Sequence, residues 1–193
     1  DGGTFHVKNG SSLAFMLPVT FEDNLVEAGH SGGAVYAGGK VDFEYKATFL
    51  RNEAMSDADV DAGNGGAVAV GRQGSVTFHD FSSFSGNAVN SGGKGGAIAN
   101  LGNLNFKRAS YFYSNVAKGE TADNGDELGG LGGAIYTEGG ATTYFKRRTI
   151  MRSNEASNGG ALYNAGTTEL ASRGFFRGNQ AMGKHAADGG HIF

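Results

Sequence analysis

A Gly-Gly pair followed by a small residue and then an apolar one recurs seven times along this chain, and no other feature constrains the fold as strongly. The copies are Gly2-Gly3-Thr4-Phe5, Gly32-Gly33-Ala34-Val35, Gly65-Gly66-Ala67-Val68, Gly95-Gly96-Ala97-Ile98, Gly132-Gly133-Ala134-Ile135, Gly159-Gly160-Ala161-Leu162 and Gly189-Gly190-His191-Ile192. A second motif, Phe-x-x-Asn, follows each of the first six. It ends at Asn24, Asn52, Asn87, Asn115, Asn154 and Asn179, with Met151 replacing Phe in the fifth copy. From first Gly to Asn the offset alternates strictly between 22 (24−2) and 20 (52−32). Nine residues before the Asn stands a large apolar residue: Phe15, Phe43, Phe78, Phe106, Phe145 and Leu170. Two residues after it stands a small apolar one: Val26, Ala54, Val89, Ala117, Ala156 and Ala181.

Physical chemistry selects among repeat folds. Helical repeats need long runs of helix formers, and each interior Gly would cost about 1 kcal/mol. Here each unit holds short alternating runs, such as Val41-Asp42-Phe43-Glu44-Tyr45, which suit strands. Glycine supplies positive-φ turns and close backbone approach. Asparagine is expected to take left-handed backbone and to hydrogen-bond to its own copy one rung away. The reading is therefore all-β: a right-handed parallel β-helix of about six rungs, with three short strands per rung. Stacking at about 4.8 Å turns each repeated position into a ladder. The chain is read as a single such domain over 1–193, with repeats starting near 2, 32, 65, 95, 132, 159 and 189. Because the seventh repeat is incomplete, the chain is expected to be part of a longer one or of an assembly docked end-on.

Composition narrows the classes further. Glycine occurs 35 times against a single proline, which excludes collagen, while the regular apolar positions argue against a linker. A net charge of −3 gives no reason to expect nucleic acid as partner. With no cysteine there is no disulfide and no thiolate metal site. No stretch reaches the roughly 18 apolar residues of a spanning helix.

The motif pair Gly-Gly-Ala-(Ile/Val/Leu) and Phe-x-x-Asn resembles the repeat of the chlamydial polymorphic outer membrane proteins. Both halves are intact in four of six units; the first has Thr4 for Ala and the fifth Met151 for Phe. The resemblance runs from Gly2 to Ile192. It implies an autotransporter-passenger-like, exported right-handed β-helix with a surface or adhesive role, and so an extracytoplasmic, secreted or cell-surface location.

Ladder residues are structural by default, so function is sought where the repeat varies. The spacing from Asn to the next Gly-Gly is 8, 13, 8, 17, 5 and 10 residues, which makes 53–64 and 116–131 insertions. Both are acidic, and they leave one corner of the coil two rungs apart. Asp57, Asp59 and Asp61, with Asp123, Asp126 and Glu127, are the candidates for a hard cation such as calcium. The loop pattern fits poorly, since Gly63 falls one place late and Val68 stands where a bidentate Glu is needed. No cofactor is expected.

Basic residues gather six to eight positions before the Asn: Lys46, Lys107, Arg108, Lys146, Arg147, Arg148 and Arg173, with His79 among them. Stacked, they form a stripe suited to a sulfated or uronic glycan or to an acidic protein face. The bland account is a solvated outer turn. Tyr36, Tyr136 and Tyr163 share one repeat position, as a packed ladder or a sugar-stacking face. Paired carboxylates for glycan cleavage are sought in Asp42, Glu44 and Asp80, on successive rungs and with no third polar partner. The expected function is a non-catalytic binding or adhesion scaffold. A polysaccharide-active enzyme and a structural subunit of a larger complex are the alternatives.

Overall fold

A computed structural model describes residues 1–27, 29–55, 64–90, 92–121 and 127–183. Its strands form four parallel six-stranded sheets, so the chain is an all-β parallel β-helix solenoid. Rung 1 shows the plan: Phe5–Val7, Ser12–Phe15, Val19–Glu22 and Leu25–Val26 feed the first to fourth sheets in turn. The expected three strands per rung become four. The additional strand is only two or three residues long and follows the Asn directly, too short to show an alternating pattern.

Register follows the repeat. Phe15, Phe43, Phe78, Phe106, Phe145 and Leu170 are direct cross-strand partners in the second sheet. Phe21, Phe49, Phe84, Phe112, Met151 and Phe176 are partners in the third. Rings within each column stack, Phe43 on Phe78 at 4.7 Å and Phe49 on Phe84 at 4.7 Å. Across the coil the two columns meet edge to face, as Phe78 meets Phe84 at 5.5 Å and 89°. Both arrangements are ones that aromatic quadrupoles favour. The aliphatic column Val35, Val68, Ile98, Ile135 and Leu162, continued by partly exposed Phe5 at rung 1, closes this core, and Val26, Ala54, Val89, Ala117 and Ala156 make a second, smaller one. The seventh repeat lies outside the described residues.

The two glycines of each pair do different work. The first, at Gly32, Gly65 and Gly95, holds φ of 72–74°. The second is a close approach: a Cβ on Gly66 would stand 2.1 Å from the Gly96 carbonyl oxygen. The left-handed position near the Asn is the residue before it, not the Asn itself. Asp23, Arg51, Gly86, Ser114, Ser153 and Gly178 all take φ of 51–64°. That twist pulls the following N–H out of the regular ladder, and the Asn side chain of the next rung accepts it. Asn52 N–H donates to Asn87 Oδ1 at 3.0 Å, and Asn87 N–H to Asn115 Oδ1 at 3.1 Å. At rung 1, Asn24 Oδ1 instead accepts the Thr4 hydroxyl at 2.6 Å, where the next five copies have Ala.

The alternating offset has a structural cause. Between the first and second sheets the odd rungs carry four-residue turns, at 8–11, 71–74 and 138–141. Each is closed by a bond between its end residues, for example Gly74 N–H to Gly71 O at 2.7 Å. Even rungs carry two-residue turns instead, Gly38-Gly39, Leu101-Gly102 and Ala165-Gly166. Each short turn tucks under the long one before it: a Cβ on Gly102 would meet the Gly71 and Gly74 carbonyl oxygens at 2.4 Å each. Long turns then reach across the short ones, as Asn9 Nδ2 donates to Gln73 Oε1, and Arg72 Nη2 to Glu138 Oε1 at 3.1 Å.

Candidate functional site

Three residues join the second sheet to the third in every rung, and this turn carries the basic stripe. The turns read Met16-Leu17-Pro18, Glu44-Tyr45-Lys46, His79-Asp80-Phe81, Lys107-Arg108-Ala109, Lys146-Arg147-Arg148 and Ala171-Ser172-Arg173. Backbone bonds fix the stacking. Lys107 N–H donates to Phe78 O and Lys146 N–H to Phe106 O, while Ser110 N–H donates to Arg148 O and Thr149 N–H to Arg173 O.

The stripe therefore divides. Lys107, Arg108, Lys146, Arg147, Arg148 and Arg173 sit on three consecutive rungs, six cations within about 10 Å along the axis. Lys46 is set apart on rung 2, its Nζ 6.0 Å from the centroid of the Phe81 ring. Three exposed cations elsewhere are paired: Lys40 with Asp42 at 2.6 Å, Arg51 with Glu22 and Asp23, Arg72 with Glu138. The six on rungs 4–6 have no ion-pair partner among the described residues.

Beside this turn, the outer face of the third sheet adds what the sequence reading passed over. A groove of about 450 Å³ is lined by Tyr111, Tyr113, Ile150, Phe175, Arg148 and Arg152, among others. Tyr113 and Phe175 are each 49% exposed, and the Arg152 guanidinium lies 5.9 Å from the Tyr113 ring centroid. The signal was present: Tyr111 and Tyr113 flank inward Phe112, and Phe175 precedes inward Phe176, so alternation turns them outward.

At rungs 2 and 3 the same turn is mixed in sign. Asp42 is buried at 8% exposure, and the sequence expectation that it lacks a further polar partner is corrected. Lys40 Nζ lies 2.6 Å from its Oδ2 and His79 Nε2 3.4 Å from its Oδ1, while His79 Nε2 is 3.7 Å from Glu44 Oε1. The hydrogen bond to Asp42, aided by its charge, holds the Lys40 ammonium above the ordinary lysine pKa. In the strand register Asp42 faces Thr77 rather than Asp80. Asp80 lies farther round the turn, where its Oδ1 accepts the Phe81 N–H at 2.7 Å. A rung offset brings His79 to Asp42, a contact that sequence spacing of 37 residues hides.

Of the cation candidates, Asp57, Asp59, Asp61, Asp123 and Asp126 lie outside the described residues, as does the side chain of Glu127. The second insertion contributes an antiparallel hairpin, Gly119–Thr121 against Glu127–Gly129. The tyrosine position splits into two parts. Tyr136 stacks on Tyr163 at 5.7 Å, while Tyr36 is separated from them by Ala69 and Ala99 and meets His6 at 4.9 Å.

No protein-family model matches this chain, and no curated protein and no solved structure matches it.

Proposed function

We propose that this protein is a non-catalytic binding scaffold that holds a linear acidic polysaccharide, sulfated or uronic, along rungs 4–6. The observation that carries the reading is the set of six cations on three stacked turns with no carboxylate partner among the described residues. One turn per rung repeats the charge every 4.8 Å or so, which suits a polyanion laid parallel to the solenoid axis. The exposed rings of Tyr113 and Phe175 offer apolar faces for sugar rings beside the charges. The motif resemblance to polymorphic outer membrane proteins supports an exported, adhesive, extracytoplasmic role for such a surface.

Titration with heparin and with polygalacturonate tests this. Binding that weakens with salt and is lost in the triple variant Lys146→Glu, Arg147→Glu, Arg148→Glu is the expected result. Equal binding by the triple variant overturns it.

A second reading, cleavage of such a glycan, has one observation in its favour: buried Asp42 beside His79 and Glu44, in the same turn region two rungs from the basic residues. It requires new reducing ends or unsaturated products from the same polysaccharides, lost in Asp42→Asn and His79→Ala. Intact polysaccharide after prolonged incubation rules it out.

A further inference from the structure

The basic turn uses one corner of the coil; the corner built from the long turns is separate and has its own cavity. A trough of about 660 Å³ crosses the outer face of the first sheet between the long turns of rungs 1 and 3. It exists because of the alternation in turn length. The Gly38-Gly39 turn of rung 2 sits low, while residues 8–11 and 71–74 rise on either side of it. Its floor is low as well, because rung 3 places Ala69 where rungs 2, 5 and 6 place Tyr36, Tyr136 and Tyr163. The trough runs from His6 on rung 1 to Leu101 on rung 4, three steps or about 14 Å.

Its chemistry differs from that of the stripe. Tyr36 and His6 form an angled aromatic wall, ring centroids 4.9 Å apart with planes at 56°. Gly38 and Gly71 give the Tyr36 ring its room: a Cβ would stand 3.2 Å from its Cε1 in one case and 2.9 Å from its hydroxyl in the other. On the rim, Asn9 Nδ2 donates to Gln73 Oε1. That bond fixes both amides and leaves Asn9 Oδ1 and Gln73 Nε2 with no partner among the described residues, an acceptor beside a donor. Arg72 on the same rim is neutralised by Glu138, so Lys8 is the one lysine or arginine of the lining without an ion pair among the described residues.

An acceptor and a donor held side by side match vicinal hydroxyl groups, each of which both donates and accepts. An aromatic wall matches the apolar face of a sugar ring. We infer that this trough is a binding site for a neutral pyranose oligosaccharide two to three residues long, independent of the polyanion surface. Its volume lies within the range of small-ligand sites. Two sites on different corners would let one solenoid hold two glycans, or two parts of one.

Calorimetric titration of the full chain with cellotriose, chitotriose, xylotriose and maltotriose tests the inference. At least one is expected to bind, and Asn9→Ala and Gln73→Ala are each expected to weaken it about tenfold. Both residues are exposed, so neither variant threatens the fold. The stripe variant Lys146→Glu, Arg147→Glu, Arg148→Glu is expected to bind the trisaccharide unchanged, which separates this result from the fate of the polyanion reading. The inference is overturned if none of the four binds, if Asn9→Ala and Gln73→Ala bind as well as the parent chain, or if the stripe variant loses the trisaccharide.

Discussion

Asn87 donates its side-chain amide to Asn115 Oδ1 at 2.9 Å, and the same geometry repeats from Asn52 to Asn179, rung after rung. Each amide has a second task. Asn87 Nδ2 also donates to Phe49 O at 3.1 Å, reaching back to the rung before. One buried side chain thus satisfies backbone groups that the left-handed residue before each Asn has turned away from the sheets.

Asn87→Ala should therefore be among the most damaging polar substitutions. It strands Phe49 O, Asn52 N–H and one side of the Asn115 amide in the interior. Each unsatisfied buried group costs about 1–3 kcal/mol, so a total above about 3 kcal/mol is expected in urea unfolding. Asn24→Ala is the control. It is only partly buried and bonds inward to one rung, so a loss of equal size there would contradict the ladder account.

The phenylalanine columns make a second, independent demand. Phe78 is 1% exposed, sandwiched between Phe43 at 4.7 Å and Phe106 at 5.0 Å, with Phe84 edge-on. Phe78→Ala should destabilise by about 3–5 kcal/mol. Phe5→Ala, at a site 36% exposed, should cost clearly less by the same unfolding measurement.

How far these features could be read in advance depends on whether they repeat. Phe43, Phe78 and Phe106 declare themselves because one chemical need recurs at one position, and the rungs must stack like on like. The alternating offset was visible as arithmetic, yet its meaning, a long turn at 71–74 arching over Gly102, needs the stacked coil to be seen. Residues that break the repeat are harder. Lys146, Arg147 and Arg148 stand out by charge, whereas Tyr113 and Phe175 are marked as outward only by alternation with the ladder residues Phe112 and Phe176. The Phe43–Phe78 register sets His79 level with Glu44, but its contact with Asp42, on the other side of Phe43, is diagonal and needs the stacked coil to be seen.

Glycine substitutions separate the two uses of that residue. Gly66→Ala should abolish the folded state or nearly so, because the new Cβ meets backbone carbonyl oxygens of Gly96 at 2.1 Å and Ala88 at 2.4 Å, and backbone cannot step aside. Gly139→Ala has its nearest neighbour at 3.7 Å and no positive φ. It should be neutral or stabilise by about 0.4–1 kcal/mol through the unfolded chain. Thermal melting of the two variants checks the contrast.

Acid titration has one well-defined reporter. Arg51 donates from Nε to Asp23 Oδ1 at 2.8 Å and from Nη2 to Glu22 Oε1 at 2.6 Å. The hydrogen bond from Arg51 to Asp23, with its charge behind it, holds the Asp23 carboxyl below the ordinary aspartate range. A depressed folded-state pKa means that the contribution is present above the unfolded pKa and fades as pH falls through the folded one. Both groups are exposed, so the effect on stability is small. Carbon-detected NMR should find Asp23 titrating early in Arg51→Met, at higher pH than in the parent chain; an unchanged midpoint would deny the pair.

The exposed rings beside the basic turn give a test in which fold and function come apart. Tyr113 and Phe175 are half out of the molecule, and neither belongs to the buried core. Replacing both with Ala should leave stability within about 0.5 kcal/mol of the parent, as for surface changes in general. If sugar rings lie against them, heparin affinity should fall severalfold while its dependence on salt stays the same, because the six cations remain. The triple charge reversal should do the opposite and flatten the salt dependence along with the affinity. An aromatic double variant that binds with parental affinity would show that charge alone holds the polymer, and that the groove beside Arg148 and Arg152 plays no part in it.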